Sequence, residues 1–219
     1  WSIAGSDELG GWSTSQNVMT HKESGSALWN LTVALDAKKG YILKVVNRAT
    51  GEYYGGTNAI TKDKVTTNEL GTNPEADDIT LTTTVAGDYK FQWSTGTKKL
   101  TVTYPTSYAV NFGKGTGGAT ITAKIDNTTD ITSGELVISG SSVTFAQTAA
   151  TGYTFKEWNT KQDGTGSQLS TDASYTTTID AITNVYAIYT EDKWSTNVSY
   201  GAHGSVSPTG TMDILQVTG

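Results

Sequence analysis

Cysteine is absent from this 219-residue chain. That excludes thiolate metal sites, cysteine nucleophiles and thiol redox chemistry. It does not exclude an extracellular location, because a chain of this length can bury a core without disulfides. Charge is scarce too. Asp, Glu, Lys and Arg make up 16% of the residues and the net charge is −6, which argues against binding a nucleic-acid phosphate backbone. No apolar run approaches the ~18–20 residues that a membrane-spanning helix needs. Histidine occurs twice, as His21 and His203, far apart and in polar surroundings. There is no Gly-x-Ser-x-Gly elbow and no His-Glu-x-x-His pair. Gly113-Lys-Gly-Thr-Gly-Gly118 lacks the Lys-Ser/Thr pair and following helix of a phosphate loop, so it reads as a plain loop. The expectation is a non-enzymatic chain without a cofactor.

Hydrophobic residues are 36% and aromatics 10%. Thr, Ser and Gly fill the difference, and the aromatics fall in alternating segments. Thr suits exposed strand positions because its β-branch favours extended backbone. Low charge with many hydroxyls fits a secreted β-protein. Trp29, Leu31, Val33 and Leu35 share one strand face, as do Tyr89, Phe91 and Trp93, and Leu100, Val102 and Tyr104. Strands separated by turn signals at this spacing predict an immunoglobulin-like sandwich over residues 1–105. The polar stretch Thr57–Asp77 reads as a surface loop or poorly defined edge. Pro105 marks a stiff boundary.

Residues 106–191 form a second module. Its landmark is Thr151–Asn159, reading TGYTFKEWN. Tyr153 and Phe155 share a face opposite Thr154 and Lys156. Trp158 falls out of phase with them unless the strand bulges. Residues 192–219 echo the start of that module: Val198-Ser-Tyr-Gly201 repeats Val110-Asn-Phe-Gly113, about 88 residues on. They are expected to be an incomplete further repeat that associates end to end. Because it opens on Trp1, the chain reads as a piece of a longer mature protein.

Several of these segments carry family resemblances. Ser142-Val-Thr-Phe145, Gly152-Tyr-Thr-Phe-Lys-Glu-Trp158, Gly164-Thr-Gly166 and Val185-Tyr-Ala-Ile-Tyr189 resemble the internalin-type B-repeats of bacterial surface proteins. This resemblance implies a small β-grasp-like sheet used as stalk, spacer or adhesive repeat. The family pattern has a helix-compatible segment early on. Here Lys124–Thr132 carries Asn, Asp and three threonines, and so departs from it. Trp1-Ser-Ile-Ala-Gly-Ser6 with Gly11-Trp12, Gly40–Val46, Tyr54-Gly-Gly56 and Ala86–Phe91 are similar to immunoglobulin-like carbohydrate-binding modules of starch-binding lipoproteins and amylase-family enzymes. The implication is α-glucan binding.

The residues themselves also favour sugar binding. Rings stack on pyranose faces while nearby amides and charged groups bond the hydroxyls. Trp29, Trp93 and Trp158 are assigned to the core. Trp12 follows two glycines in a loop, and one of the adjacent Tyr53 and Tyr54 must face outward. Lys44 lies on the face opposite Tyr41, Leu43 and Val45, but Ile42 and Val46 flank it, which leaves open that this face is covered as well. Trp12, Lys44, Asn47 and Tyr53 or Tyr54 are the candidate platform; the alternative is that Trp12 merely covers one end of the sandwich and Tyr54 packs under a turn. Asp7/Glu8 and Asp77/Asp78 are adjacent pairs that an extended strand would point to opposite faces, so neither makes an acid/base dyad. Glu75, Asp77 and Asp78 could hold calcium or form a solvated loop. The expected role is a non-catalytic, polysaccharide-binding spacer region of a secreted or cell-surface bacterial multidomain protein. A purely structural stalk or adhesive unit is the rival reading, and an accessory region of a glycoside hydrolase is a third.

Overall fold

A computed structural model describes residues 1–72, 78–198 and 210–215. The chain is all-β, with no α-helix among the described residues. It divides into two compact units, Trp1–Ser107 and Tyr108–Gly219.

The first unit contains strands β1 (Ser2–Gly5), β2 (Thr20–His21), β3 (Leu28–Leu35), β4 (Gly40–Asn47), β5 (Glu52–Gly55), β6 (Asn58–Ile60), β7 (Gly71–Thr72), β8 (Ile79–Thr82), β9 (Gly87–Ser94) and β10 (Lys99–Thr103). Asp7–Leu9 is a single 3-10 turn. One sheet runs β10-β9-β3-β2 and is antiparallel throughout. The other is built on β4, which pairs with β1, β5 and β8. Leu43 lies opposite both Gly5 and Ile79, and Val45 opposite both Ile3 and Tyr54. One edge of β4 is therefore taken by β1, and the other by β8 and β5 in succession.

The two sheets enclose one core. Tyr89, Phe91 and Trp93 on β9 meet Tyr41, Leu43 and Val45 on β4, together with Ile79, Leu81 and Ile3. Each fully buried side chain of this size contributes roughly 1.5–3 kcal/mol. This is a two-sheet sandwich compatible with the immunoglobulin-like expectation. The stretch read as a surface loop or poorly defined edge is, over residues 57–72, a sheet edge with buried side chains: β6 and β7 end the β4 sheet on either side, and residues 73–77 lie outside the described residues. Ile60 and Leu70 are buried. Thr67 runs along β10, giving its N–H to the Leu100 carbonyl and taking the Leu100 N–H on its hydroxyl. A polar pattern conceals this because Asn58 and Thr67 are buried with their hydrogen bonds made: the Asn58 carbonyl oxygen Oδ1 accepts from the Asn68 N–H.

The second unit holds β11 (Ser107–Lys114), β12 (Gly118–Ile125), β13 (Thr129–Ile131), β14 (Glu135–Ile138), β15 (Ser142–Ala149), β16 (Tyr153–Asn159), β17 (Gln168–Ser170), β18 (Ser174–Thr178) and β19 (Thr183–Glu191). A mixed sheet runs β14-β11-β19-β16-β17, with β11 and β19 parallel. An antiparallel sheet runs β13-β12-β15-β18. Val110, Phe145, Trp158, Val185 and Ala187 are fully buried in a single core. Lys124–Thr132, where the family pattern allows a helix, is a hairpin. Asp126 and Asn127 both take positive φ, and Thr128 donates its N–H to the Ile125 carbonyl. Asp and Asn tolerate that left-handed backbone, which is what a tight hairpin demands.

A bulge resolves the phase of the landmark stretch. Phe155 pairs with Tyr189 and Glu157 with Ile188, so Lys156 is an extra residue. Trp158 returns to the core face and is fully buried, its indole N–H donating to the Asp172 carbonyl at 2.9 Å. Beyond these strands, β20 (Lys193–Val198) pairs antiparallel with β21 (Gly210–Leu215). Most of the echoed Val198–Gly201 segment lies outside the described residues.

Candidate functional site

The five residues expected to form a sugar platform do not converge. Tyr54 points inward because its register partner is Val45, a core position. Its ring lies 5.3 Å from Trp1 and 5.4 Å from Trp93, with the Lys98 ammonium 5.0 Å from its centroid. Tyr53 takes the opposite face and is half-buried beside Val46. Lys44 is buried and forms an ion pair with Asp78 at 3.3 Å. The face it shares with Ala4 and Val46 is covered as well. Asn47 is committed to its own turn, its Oδ1 accepting from the Ala49 N–H and its carbonyl from the Gly51 N–H. Asp78 thus has a partner in Lys44; Glu75 and Asp77 of the expected calcium cluster lie outside the described residues. No group of three or more His, Asp or Glu that could hold a metal occurs among the described residues.

Trp12 remains. It is 39% exposed, whereas Trp93 and Trp158 are fully buried and Trp1 and Trp29 pack partly against the core. Its φ is +69°, a left-handed conformation that a bulky residue rarely adopts. The conformation is held by the Trp12 N–H, which donates to the Gly5 carbonyl at 2.9 Å. Gly10 and Gly11, also at positive φ, bring the chain to it.

The same loop carries a charged cluster that the sequence reading missed. Lys39, in the β3–β4 turn, places its ammonium 3.2 Å from both oxygens of Glu8, 3.3 Å from Asp7 and 3.6 Å from Asp36. It also lies 5.1 Å from the centre of the Tyr41 ring. Alternation had set Asp7 and Glu8 on opposite faces. They sit instead in the 3-10 turn, where neighbouring side chains fan out over one arc and both reach Lys39. The available signal was the Gly10-Gly11 pair, which ends an extended segment.

Electrostatics fixes the charge states in this cluster. The backbone N–H of Glu8 itself is the largest influence on its carboxyl. With hydrogen bonds from Lys39 and Tyr41, it holds the group down to about 2 against the opposing effect of desolvation. Lys39 is pushed up, chiefly by its hydrogen bond to Glu8. Burial raises the Tyr41 phenol. At neutral pH Glu8 is therefore a carboxylate held by the Lys39 ammonium.

No protein-family model matches the chain, and neither the curated proteins nor the solved structures compared with it give a match. No helix long and apolar enough to cross a membrane occurs among the described residues.

Proposed function

We propose that this chain is a non-catalytic, carbohydrate-binding region of a secreted or cell-surface protein. Its first unit would engage a polysaccharide through Trp12. The observation that carries the reading is the exposed indole at +69°. Holding a large ring outside the core in a disfavoured backbone conformation costs stability, and such a cost is characteristic of functional positions. An exposed ring supplies the stacking face for a pyranose, and the Asp7, Glu8 and Asp36 carboxylates supply acceptors for hydroxyls. A carboxyl held down to about 2 is a poor proton donor at neutral pH, which favours binding over general-acid chemistry. The resemblance to starch-binding modules makes α-glucan the first polysaccharide to try, and the resemblance to B-repeats makes the second unit its spacer.

The test is native affinity electrophoresis of the full chain in gels containing soluble starch, xylan or mannan. Retardation that disappears in Trp12→Ala supports the reading, and no retardation in any gel overturns it. The structural rival, a stalk without a small ligand, draws support from the hydroxyl-paired outer face of the second unit. There Thr144 and Thr176 meet at 2.9 Å and Thr120 and Thr148 at 2.6 Å across neighbouring strands.

A further inference from the structure

The hairpin after Trp158 frames a hollow of about 360 Å³ on the second unit, lined by Thr160, Lys161, Gln162, Asp163, Asn184 and Tyr186. Its size is at the lower end of the ~300–1,000 Å³ range of ligand sites. The outer face of β19 supplies Asn184 and Tyr186, which alternate with the buried Val185 and Ala187. The hairpin supplies the other wall.

That wall is fixed in place. Asn159 is buried, and its NH2 group donates to the carbonyls of Gly164 and Gly166 while its Oδ1 accepts from the Lys161 N–H. Thr160 accepts the Ser167 N–H. Asp163 accepts both the N–H and the hydroxyl of Thr165, which lowers its pKa. Gln162 donates to the Lys114 carbonyl at 2.8 Å, tying the hairpin tip to β11. Gly166 leaves no space for a side chain, since a Cβ there would come within 2.3 Å of the Thr160 hydroxyl. The hollow is thus preformed.

Tyr186 is half-buried and rests against β11 at Gly113, where a Cβ would stand 3.3 Å from the ring. Around the ring are groups that both donate and accept. Asn184 accepts from Asn111 through Oδ1, so its NH2 group is the donor on offer. Gln162 uses its NH2 on Lys114, so its Oε1 is the acceptor on offer. Lys161 and Asp163 cancel in charge. A phosphate or other anion would meet the Asp163 carboxylate, and a divalent cation would find a single carboxylate among the lining residues. One ring bordered by neutral amides, a hydroxyl and a balanced charge pair suits a neutral pyranose.

We propose that this hollow is a second carbohydrate site, taking a single neutral sugar residue of a glycan with Tyr186 as its stacking ring. It uses no residue of the Trp12 site, so the two stand or fall separately.

The experiment is a titration of the full chain, labelled with nitrogen-15, with maltotriose, cellotriose, xylotriose, mannotriose and chitotriose at millimolar concentration, following backbone amide shifts. Saturable shifts at Gln162, Asp163, Gly164 and Asn184 with at least one sugar are expected. They should persist in Trp12→Ala. Tyr186→Ala should weaken them about tenfold, the scale of one lost ring contact, while keeping a dispersed spectrum. Absence of shifts at these amides with every sugar overturns the proposal, whatever happens near Trp12. Shifts that survive Tyr186→Ala at unchanged affinity overturn it as well.

Discussion

Phe155 and Trp158 face the same core with ring centroids 5.5 Å apart, although they stand three positions apart on one strand. In a regular strand that spacing would set them on opposite faces. Lys156 makes the difference, as the unpaired residue of a bulge between the Tyr189 and Ile188 registers.

The bulge makes a directional prediction. Deleting Lys156 restores strict alternation and keeps both Phe155 and Trp158 inward, so the loss should stay near about 1–2 kcal/mol. Inserting an alanine after Lys156 also gives an even spacing, but unless two residues bulge out it shifts Trp158 from opposite Ala187 to opposite Val185, and it should cost clearly more than the deletion. Trp fluorescence during urea unfolding reads both. A deletion as destructive as the insertion would contradict this account of the strand.

Asn159 should be a keystone of the adjoining hairpin. Asn159→Ala removes the partner of two carbonyls, one N–H and the Glu157 carboxylate in a buried setting. A cost of about 2–4 kcal/mol is expected, since unsatisfied buried groups cost about 1–3 kcal/mol each and some relax toward water. An equilibrium denaturation curve within about 0.5 kcal/mol of wild type would show that the hairpin holds itself.

The Glu8 cluster predicts part of the acid limb of stability. The folded-state pKa is depressed from 4.5 to about 2. Its contribution is present above 4.5 and lost as pH falls toward 2. Glu8→Gln should therefore lower the thermal midpoint at pH 7 slightly and converge on wild type near pH 2. Curves that stay parallel across this window would show that Glu8 is not titrating with folding.

Trp12→Gly separates function from packing. Glycine removes the left-handed strain of about 1–2 kcal/mol, but gives back roughly 0.5–1 kcal/mol of chain entropy. If the ring is a ligand platform, stability should stay within about 1 kcal/mol of wild type. A loss of 3 kcal/mol or more, the range for truncating a core aromatic, would assign Trp12 to covering the sandwich end.

Much of the fold was legible because burial imposes a period of two. Tyr89, Phe91 and Trp93 announce their strand, and the inward turn of Trp158 follows once a bulge is allowed. Which of Tyr53 and Tyr54 faces out was not legible, because register to Val45 decides it and register is a long-range property. Flanking Ile42 and Val46 left open that the face of Lys44 is covered, but not what would neutralise the buried ammonium; its partner Asp78 lies 34 residues away in sequence. The Lys39 cluster was missed for a similar reason. Asp36-Ala-Lys-Lys-Gly40 looks like any polar turn until the 3-10 turn at Asp7–Leu9 folds against it. Trp12 alone stood out locally, since its glycine neighbours mark a loop and a loop gives a ring no obvious core to enter.

The central claim, that the first unit binds polysaccharide through Trp12, is tested most directly by affinity electrophoresis of wild type beside Trp12→Gly in soluble starch, with xylan and mannan gels alongside. The account predicts retardation of wild type in at least one gel and its loss in the variant, at unchanged mobility in a polysaccharide-free gel. Equal migration of the two proteins in every gel would contradict it.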